Sequence, residues 1–262
     1  MIVKILGSGQ DAGIPQIGCP CDICTKARKH PAYRRYGPSI AFSSDKGWYL
    51  IDASPDISHQ VEMLFGHDFP VRGILLTHAH FGHCAGLWYL GKESANVHDL
   101  PIYCTPAMKQ FLSNNHPFNL LVKRGNIRLE NLASHDLGAC TPLRVPHRNE
   151  IADCVGFILT ARKRLLYIPD VDCWTDDLIG EIGRSDIALL DGTFYSKDEL
   201  PRFAEVPHPP IKESIDRLKN LDTTIYFTHI NHTNPVNRDG VEREHVKNSG
   251  FQIAHDGMVL EI

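Results

Sequence analysis

The stretch that decides the fold is Gly73-Ile-Leu-Leu-Thr-His-Ala-His-Phe-Gly-His-Cys-Ala-Gly86. Its apolar run, residues 74–76, predicts a buried strand, and the small and apolar residues at 85–90 predict a helix. Three histidines lie between these elements: His78, His80 and His83. Neutral imidazole is the commonest protein ligand for zinc, iron and related ions. Histidines packed so closely between a strand and a helix therefore predict a metal site.

The overall composition is that of an ordinary globular protein. The 262 residues suffice for one large domain, and the hydrophobic fraction of 42% and charged fraction of 22% are typical of that class. A net charge of −4 gives no reason to expect nucleic-acid binding. No apolar run approaches the roughly 20 residues that span a bilayer, and residues 2–6 read as a first strand rather than a secretory signal. We therefore expect a cytoplasmic protein with neither a membrane nor a nucleic-acid partner.

A cysteine cluster, Cys19-Pro-Cys-Asp-Ile-Cys24, forms a second candidate metal site. Three thiolates this close together can bind one zinc and leave the fourth tetrahedral corner for a distant ligand. The other five of the eight cysteines are scattered and are predicted to be small buried hydrophobic residues. A disulfide framework is not expected without a secretory signal.

Two further stretches near the N-terminus have no single interpretation from sequence. Residues 7–13, Gly-Ser-Gly-Gln-Asp-Ala-Gly, follow the first strand as a flexible turn, and their spacing does not fit a nucleotide-binding Gly-x-Gly-x-x-Gly loop. Residues 25–38 are basic. They fit equally well a patch that binds a substrate phosphate and a solvated helix beside the cysteine cluster.

Polar residues follow several of the predicted strands. Asp52 ends a strand at 47–52, and we expect it to accept a hydrogen bond from a metal-binding histidine. Ligand-type residues also end later strands: His147, Asp170, Asp191 and His229. Helices are predicted at about 106–113 and 209–221. Short strands with ligand-type residues at their carboxyl ends fit two sheets between helices, with a site along one edge.

The C-terminal segment has the pattern of a hairpin. Residues 251–254 and 258–262 predict two strands, and His255-Asp256-Gly257 predicts the turn between them.

The motif His78-Ala-His-Phe-Gly-His83 resembles the His-x-His-x-Asp-His metal motif of the metallo-β-lactamase superfamily, with Gly82 in place of the aspartate. The resemblance covers nearly the whole chain. It implies an α/β fold, the four-layer αββα sandwich. We expect a single domain over residues 1–262, with a zinc-knuckle insertion at about residues 14–38.

Two branches of that superfamily are the most similar. The cysteine motif resembles both. The stretch 27–35 resembles the cyclic phosphodiesterases of the carbon–phosphorus lyase pathway. Residues 53–57, 191–193 and 229–235 resemble protein B of pyrroloquinoline quinone biosynthesis.

The resemblance implies a role for each site residue. The first cation site would consist of His78, His80 and His147. The second would consist of His83 and His229, with Asp170 bridging the two sites. The resemblance also implies that His232 joins Cys19, Cys21 and Cys24 in a structural zinc site, and that His208 protonates a leaving group. Because position 82 is glycine, the second site lacks its usual carboxylate, and Gly82→Asp is expected to tighten it.

Three functions remain open at this stage. A cation lowers the pKa of bound water towards ~7, so the first is a metal-dependent hydrolase of a small phosphodiester, with Asp170 and His208 as catalytic residues. The second is a non-haem iron oxygenase of a peptide-derived or amino-acid-like substrate, since two histidines and one carboxylate form its ligand set. The third is a degenerate protein that binds a metabolite.

The ligand types do not decide between these functions, because imidazole and carboxylate suit zinc, manganese and iron alike. We expect one or two active-site ions, one structural zinc and a small-molecule substrate. The choice between a monomer and a homodimer stays open.

Overall fold

The computed structural model describes residues 1–66, 68–134, 137, 139–148, 150–200 and 206–262. The strands are β1 (Ile2–Gly7), β2 (Ser39–Ser44), β3 (Gly47–Ile51), β4 (Val71–Leu75), β5 (Leu100–Cys104), β6 (Ile127–Asn131), β7 (Cys140–Val145), β8 (Cys154–Thr160), β9 (Arg164–Ile168), β10 (Ile187–Asp191), β11 (Thr224–Thr228), β12 (Gln252–Ile253) and β13 (Val259–Glu261). The α-helices are α1 (Asp22–Lys29), α2 (Ile57–Phe65), α3 (Phe81–Cys84), α4 (Pro106–Asn114), α5 (Phe118–Lys123), α6 (Asp176–Gly183), α7 (Ile211–Leu218) and α8 (Val241–Asn248).

These strands form two mixed sheets. The first has the strand order β13-β1-β2-β3-β4-β5-β6, and the second has the order β12-β11-β10-β9-β8-β7. Strands β3 to β6 are parallel neighbours in the first sheet, as are β9 to β12 in the second. The carboxyl ends of parallel strands meet at one edge of a sheet. The residues that follow β3, β4, β9, β10 and β11 are therefore brought to shared edges.

Strand β9 shows how the sequence determines the packing. Leu165 and Tyr167 face the core between the two sheets, whereas Leu166 and Ile168 face a second core under helices. Successive side chains of a strand point to opposite faces, and a parallel strand covered on both faces is apolar throughout. The continuous apolar run at this strand is therefore the pattern of a strand that is buried on both sides.

Three apolar cores separate four layers. The first sheet packs against α2, α4 and α5 through residues that include Ile57, Met108, Leu112 and Leu121. The second sheet packs against α6, α7 and α8 through residues that include Leu178, Ile182, Ile215 and Val246. The third core lies between the sheets. The predicted four-layer αββα sandwich is confirmed.

The predicted C-terminal hairpin is wrong. Strand β12 pairs in parallel with β11 in the second sheet, whereas β13 pairs antiparallel with β1 in the first. The chain crosses from one sheet to the other at Asp256, whose carboxylate accepts hydrogen bonds from the backbone N–H of Ser8 and of Tyr36. The Asp-Gly signal correctly indicates a turn. The strands on either side of it choose distant partners, which a local pattern cannot reveal.

The N-terminal insertion has only a small core of its own, formed by Ile14, Ile23, Cys24 and Ala27. Two of its arginines form hydrogen bonds that stabilise the surrounding backbone. The guanidinium of Arg28 donates to the backbone carbonyls of Cys19 and Gln16, and Arg35 is buried and donates to the backbone carbonyl of Ala254. These contacts favour the structural interpretation of the basic stretch over a phosphate-binding one. Within the described ranges, no helix is long and apolar enough to cross a membrane.

Candidate metal centre

The first cluster of the predicted site contains three histidines whose ring nitrogens converge. Nδ1 of His80 lies 2.9 Å from Nε2 of His78 and 3.3 Å from Nε2 of His147. Two imidazole nitrogens bound to one tetrahedral ion at about 2.0–2.1 Å are about 3.3 Å apart. On its outer side, Nδ1 of His147 lies 3.0 Å from Oδ1 of Asp172, which leaves Nε2 free for a cation. The three rings could therefore hold one ion between them.

Asp170 joins this cluster to a second one. Its Oδ2 lies 3.0 Å from Nε2 of His83 and 3.4 Å from Nε2 of His229, while its Oδ1 lies 3.7 Å from Nε2 of His147. Asp170 follows β9, and His229 follows the neighbouring β11, so the parallel sheet explains their approach. The predicted bridging position of Asp170 is present in the geometry.

The second cluster contains three buried polar atoms that a cation could satisfy. Nε2 of His83, Nε2 of His229 and Oδ2 of Asp170 approach one another at 3.0 and 3.4 Å, but none of the three forms a hydrogen bond of good geometry within the described part of the chain. An unpaired buried polar atom costs about 1–3 kcal/mol. One ion bound to all three atoms would satisfy them together, so the donor set fits a metal.

Asp52 and Thr77 orient two of these histidines from the first sheet. The hydroxyl of Thr77 donates to Asp52 at 2.9 Å, so its oxygen is free to accept from Nδ1 of His78, also at 2.9 Å. Nδ1 of His83 donates directly to Oδ2 of Asp52 at 2.7 Å. These bonds place the ring protons on Nδ1 and direct both Nε2 lone pairs into the site. The predicted hydrogen bond to Asp52 is confirmed.

Asp191 and Thr193 form a matching pair on the second sheet. The Thr193 hydroxyl donates to Oδ1 of Asp191 at 2.7 Å and accepts from Nδ1 of His229 at 2.9 Å. Oδ2 of Asp191 lies 2.6 Å from Nδ1 of His208. An aspartate–threonine pair from each sheet therefore fixes two histidines. From the sequence, Asp191 was predicted only as a ligand-type residue at a strand end, and no role was predicted for either threonine.

Electrostatics distinguishes the histidines. Burial lowers the pKa of His78 and of His229, which favours the neutral, metal-binding form of each ring. Burial also opposes the charged form of His83, but Asp52 and Asp170 outweigh it and raise its pKa well above the usual range. The region between these two carboxylates is therefore a site for positive charge.

The surroundings of His208 favour the protonated form of its ring. Its ring is buried, and it stacks on that of His229 with centroids 6.0 Å apart. Burial opposes its charged form, yet the carboxylate of Asp191 outweighs burial and raises the pKa of His208 to about 9. Ligand atoms of His208, His229 and Asp170 lie within 4.8 Å of one another. The ring is thus held beside Asp170, and its contact with Asp191 favours the protonated form.

The cysteine cluster has the geometry of a separate zinc site. Nδ1 of His232 lies 3.5 Å from Sγ of Cys19 and 3.6 Å from Sγ of Cys21, and Cys24 completes the group. Zn–S and Zn–N bonds of about 2.3 and 2.0 Å at a tetrahedral angle place sulfur and nitrogen about 3.5 Å apart. Burial raises the pKa of the Cys21 thiol, but hydrogen bonds from the Cys24 N–H and from His232 outweigh it and lower that pKa to about 6. The structure therefore brings together the four residues predicted for the knuckle.

One acidic residue beside the second cluster, Asp11, was not predicted from the sequence. The carboxylate of Asp11 and the ring nitrogens of His83 and His229 lie within 4.8 Å of one another. Asp11 also packs against Gly82, where an added Cβ would lie 2.4 Å from the Asp11 Cα. A side chain at position 82 would have to displace Asp11, so this steric clash opposes the expectation that Gly82→Asp tightens the second site. The sequence feature that could have indicated Asp11 is that it is the single carboxylate in the glycine-rich turn at 7–13.

Comparisons with protein families and with known relatives agree with each other. The model of the β-lactamase superfamily domain matches residues 47–257. Coenzyme PQQ synthesis protein B from Methylorubrum extorquens is 32% identical, over 100% of both chains. The protein of the same name from Rhizobium meliloti is 30% identical, over 99% of this chain and 97% of the relative.

Solved structures agree with these matches. The crystal structure of Zn²⁺-bound PqqB from Methylobacterium extorquens has a TM-score of 0.87 and 29% identity, over 100% of both chains. A diphosphatase of the PhnP family has a TM-score of 0.74 and 24% identity, over 100% of this chain and 96% of the other. At that identity the second likeness shows the fold alone.

Proposed function

The chain belongs to the β-lactamase superfamily, and on that premise we propose that it is a metal-dependent hydrolase of a small phosphodiester. The observation that carries the proposal is the position of Asp170 between two groups of histidines. Its two carboxylate oxygens face different groups, at 3.7 Å from His147 and 3.0 Å from His83. A shared carboxylate between two nitrogen-rich clusters suits a pair of adjacent cations.

We assign His78, His80 and His147 to the first cation and His83 and His229 to the second, with Asp170 binding both. Cations bound there would lower the pKa of water and neutralise the charge of a phosphodiester in an in-line displacement. The buried, unpartnered nitrogens of His83 and His229 support this assignment. The cysteine cluster with His232 would bind a third, structural zinc that stabilises the small N-terminal core.

His208 is assigned the role of general acid. Asp191 holds Nδ1 of the ring at 2.6 Å, and that contact keeps the imidazole both oriented and protonated. Nε2 is then the atom that donates a proton to the departing oxygen. Thr193 adds a second restraint, because it connects Asp191 to His229 and so fixes the acid relative to the second cation site.

Hydrolysis of bis-p-nitrophenyl phosphate tests the proposal. Purified protein loaded with Zn²⁺ or Mn²⁺ should release p-nitrophenolate, and His208→Ala should slow turnover by about 10²–10⁴-fold, the usual contribution of general acid catalysis. His98→Ala is the matched control, because His98 is exposed. No turnover with any metal in protein that mass spectrometry shows to be loaded would refute the hydrolase assignment.

The comparisons support a second candidate, a non-haem iron oxygenase of an amino-acid-like or peptide-derived substrate. Its basis is the full-length identity of 32% to a protein named for coenzyme PQQ synthesis. His83 and His229, whose Nε2 atoms lie 3.0 and 3.4 Å from Oδ2 of Asp170, provide with that carboxylate the two-histidine, one-carboxylate set that such enzymes use. The test is dioxygen consumption by anaerobically purified, iron-loaded protein in the presence of amino acids and short peptides. Consumption that depends on His83 would favour this candidate, and its absence would leave the hydrolase.

A further inference from the structure

The second cation site has a carboxylate neighbour that the superfamily motif does not predict. Atoms of Asp11, His83 and His229 lie within 4.8 Å of one another, although Asp11 is 72 positions before His83 in the chain. From this geometry we infer that Asp11 is a ligand of the second cation, and that it supplies the carboxylate that position 82 lacks. This inference shares one premise with the proposed function, namely that the second site binds a metal.

The two positions are sterically complementary. A Cβ at Gly82 would lie 2.4 Å from the Cα and 2.5 Å from Oδ1 of Asp11. Cβ atoms do not approach other heavy atoms to such distances, so any side chain at position 82 would displace the loop that contains Asp11. Glycine at 82 therefore leaves space beside the metal ligands, and Asp11 fills that space with a carboxylate. The carboxylate ligand of the second site would then come from the loop of Asp11 instead of from position 82 of the histidine motif.

Backbone hydrogen bonds attach the loop before Asp11 to the segment that follows His229. Gln10 donates its backbone N–H to the carbonyl of Ile230 at 3.1 Å, and Ile230 donates to the carbonyl of Ser8 at 2.8 Å. Ile230 directly follows His229 in the chain. The loop before Asp11 is thus attached to the residue after one of the proposed ligands. A displacement of either would move the other.

The backbone of Asp11 is also in an unfavourable conformation, with φ of +36°. Non-glycine residues adopt this left-handed region rarely, and aspartate and asparagine tolerate it better than most. Such conformations cost of order 1–3 kcal/mol and cluster at functional sites. The backbone is therefore compatible with aspartate, and the assignment of its carboxylate rests on the approach to His83 and His229.

The assignment completes the second site with two histidines and two carboxylates. The histidine nitrogens are buried without a hydrogen-bond partner among the described residues, and Asp170 supplies the other carboxylate. Asp11 adds a negative ligand at a site whose other carboxylate, Asp170, is shared with the first cation. The two carboxylates also leave fewer open positions than the two-histidine, one-carboxylate set needs for dioxygen and substrate. The Asp11 ligand therefore favours the hydrolase over the oxygenase.

Binding of Mn²⁺, measured by isothermal titration calorimetry, tests this assignment without reference to activity. Thiolates select zinc over manganese, so Mn²⁺ reports the histidine–carboxylate sites rather than the cysteine cluster. Wild-type protein with a metal-free active site should bind two Mn²⁺ per chain. Asp11→Asn should keep one of these sites and weaken the other by at least the roughly 10–100-fold that loss of a supporting residue costs. Asparagine tolerates the left-handed backbone, so the variant should fold. Asp45→Asn, a change at an exposed turn, should match the wild type.

A second variant moves the ligand without removing it. Gly82→Ala keeps the chemical identity of every proposed ligand but would displace the loop that contains Asp11, so it should weaken the same Mn²⁺ site. Gly180→Ala is its control, because a Cβ there meets only the Arg184 side chain at 3.8 Å. Two Mn²⁺ with wild-type affinity in Asp11→Asn would overturn the assignment, as would a single Mn²⁺ in both wild type and variant. A lack of phosphodiester hydrolysis would refute the proposed function and leave these stoichiometries unaffected.

Discussion

Oδ2 of Asp52 lies 2.7 Å from Nδ1 of His83, and both side chains are fully buried. Nε2 of the same ring lies 3.0 Å from Asp170. Asp52 follows β3 in the first sheet and Asp170 follows β9 in the second, so His83 connects the two sheets at the edge where the site is built. One buried imidazole therefore lies between a carboxylate from each sheet.

Asp52→Asn is expected to weaken the second cation site by about 10–100-fold, the usual effect of losing a group that orients a histidine ligand. The amide presents a donor where His83 requires an acceptor, so the ring can turn or change tautomer. Mn²⁺ titration measures the effect, with Asp45→Asn as the control of equal charge change. Unchanged affinity for both ions would show that Asp52 does not position His83.

The cysteines should react in two groups. Cys173 is exposed, whereas burial raises the pKa of Cys84 and of Cys104 to about 12 and suppresses their reaction. Zinc in the cysteine cluster would protect its three thiols as well. We therefore expect one thiol to react rapidly with Ellman's reagent in native protein and three more to react after chelation.

Cys173→Ser is the control for that experiment, because it should remove the rapid reaction and leave the chelation-dependent one. Cys21→Ser should lower the zinc content by one equivalent per chain. Four rapidly reacting thiols in protein with its full zinc content would contradict the assignment of the cluster to zinc.

Turnover should fall on the alkaline side as His208 loses its proton. The pKa of His208 is raised to about 9 in the folded chain, against about 6.5 for an unperturbed histidine. The pairing with Asp191 therefore stabilises the fold fully below pH ~6.5, and this contribution is lost as the pH rises through about 9. The general acid is lost over the same range.

Asp191→Asn should move the alkaline limb of the pH–rate profile down, towards ~6.5, because it removes the charge that holds the proton. His208→Ala should remove that limb altogether and lower the rate. A limb that stays in place in both variants would assign the titration to a different group.

Arg35 should be important for stability rather than for catalysis. It is 9% exposed, and its guanidinium donates to Ser8, Asn237 and the Ala254 carbonyl. A hydrogen bond to a charged group contributes about 1.5–3 kcal/mol, so Arg35→Ala should lower the free energy of unfolding by at least about 1.5 kcal/mol in urea denaturation. Arg162→Ala, in an exposed turn, should have little effect. A loss below about 1 kcal/mol would show that these hydrogen bonds contribute little.

The sequence predicts the features of this fold that depend on local patterns. Apolar runs such as that at β9 and the ligand-type residues after them predict the strands and the edge that carries the site. The spacing of His78, His80 and His83, together with the resemblance it carries, predicts the ligand set that the structure brings together. The partners of β12 and β13 were not predictable, because pairing between distant strands is decided by the whole fold.

Asp11 illustrates the same limit for the site. Its loop reads as a flexible turn, since nothing within it indicates a distant partner. Its significance depends on Gly82, and only the folded chain places the two residues in contact. Thr77 and Thr193, the threonines of the two aspartate–threonine pairs, were not predicted for a related reason. Hydroxyl groups are common at strand ends, and the role of these two is visible only when the folded chain places an aspartate and a histidine on either side of each.

The measurement that tests the central claim most directly is bis-p-nitrophenyl phosphate hydrolysis during titration of metal-free protein with Mn²⁺, in wild type and Asp170→Asn. Because Asp170 faces both clusters, turnover should increase as two equivalents bind to the wild type. In Asp170→Asn both ions should bind weakly and turnover should be abolished. Fully loaded wild-type protein without turnover, or undiminished turnover in Asp170→Asn, would contradict a hydrolase built on two cations that share this carboxylate.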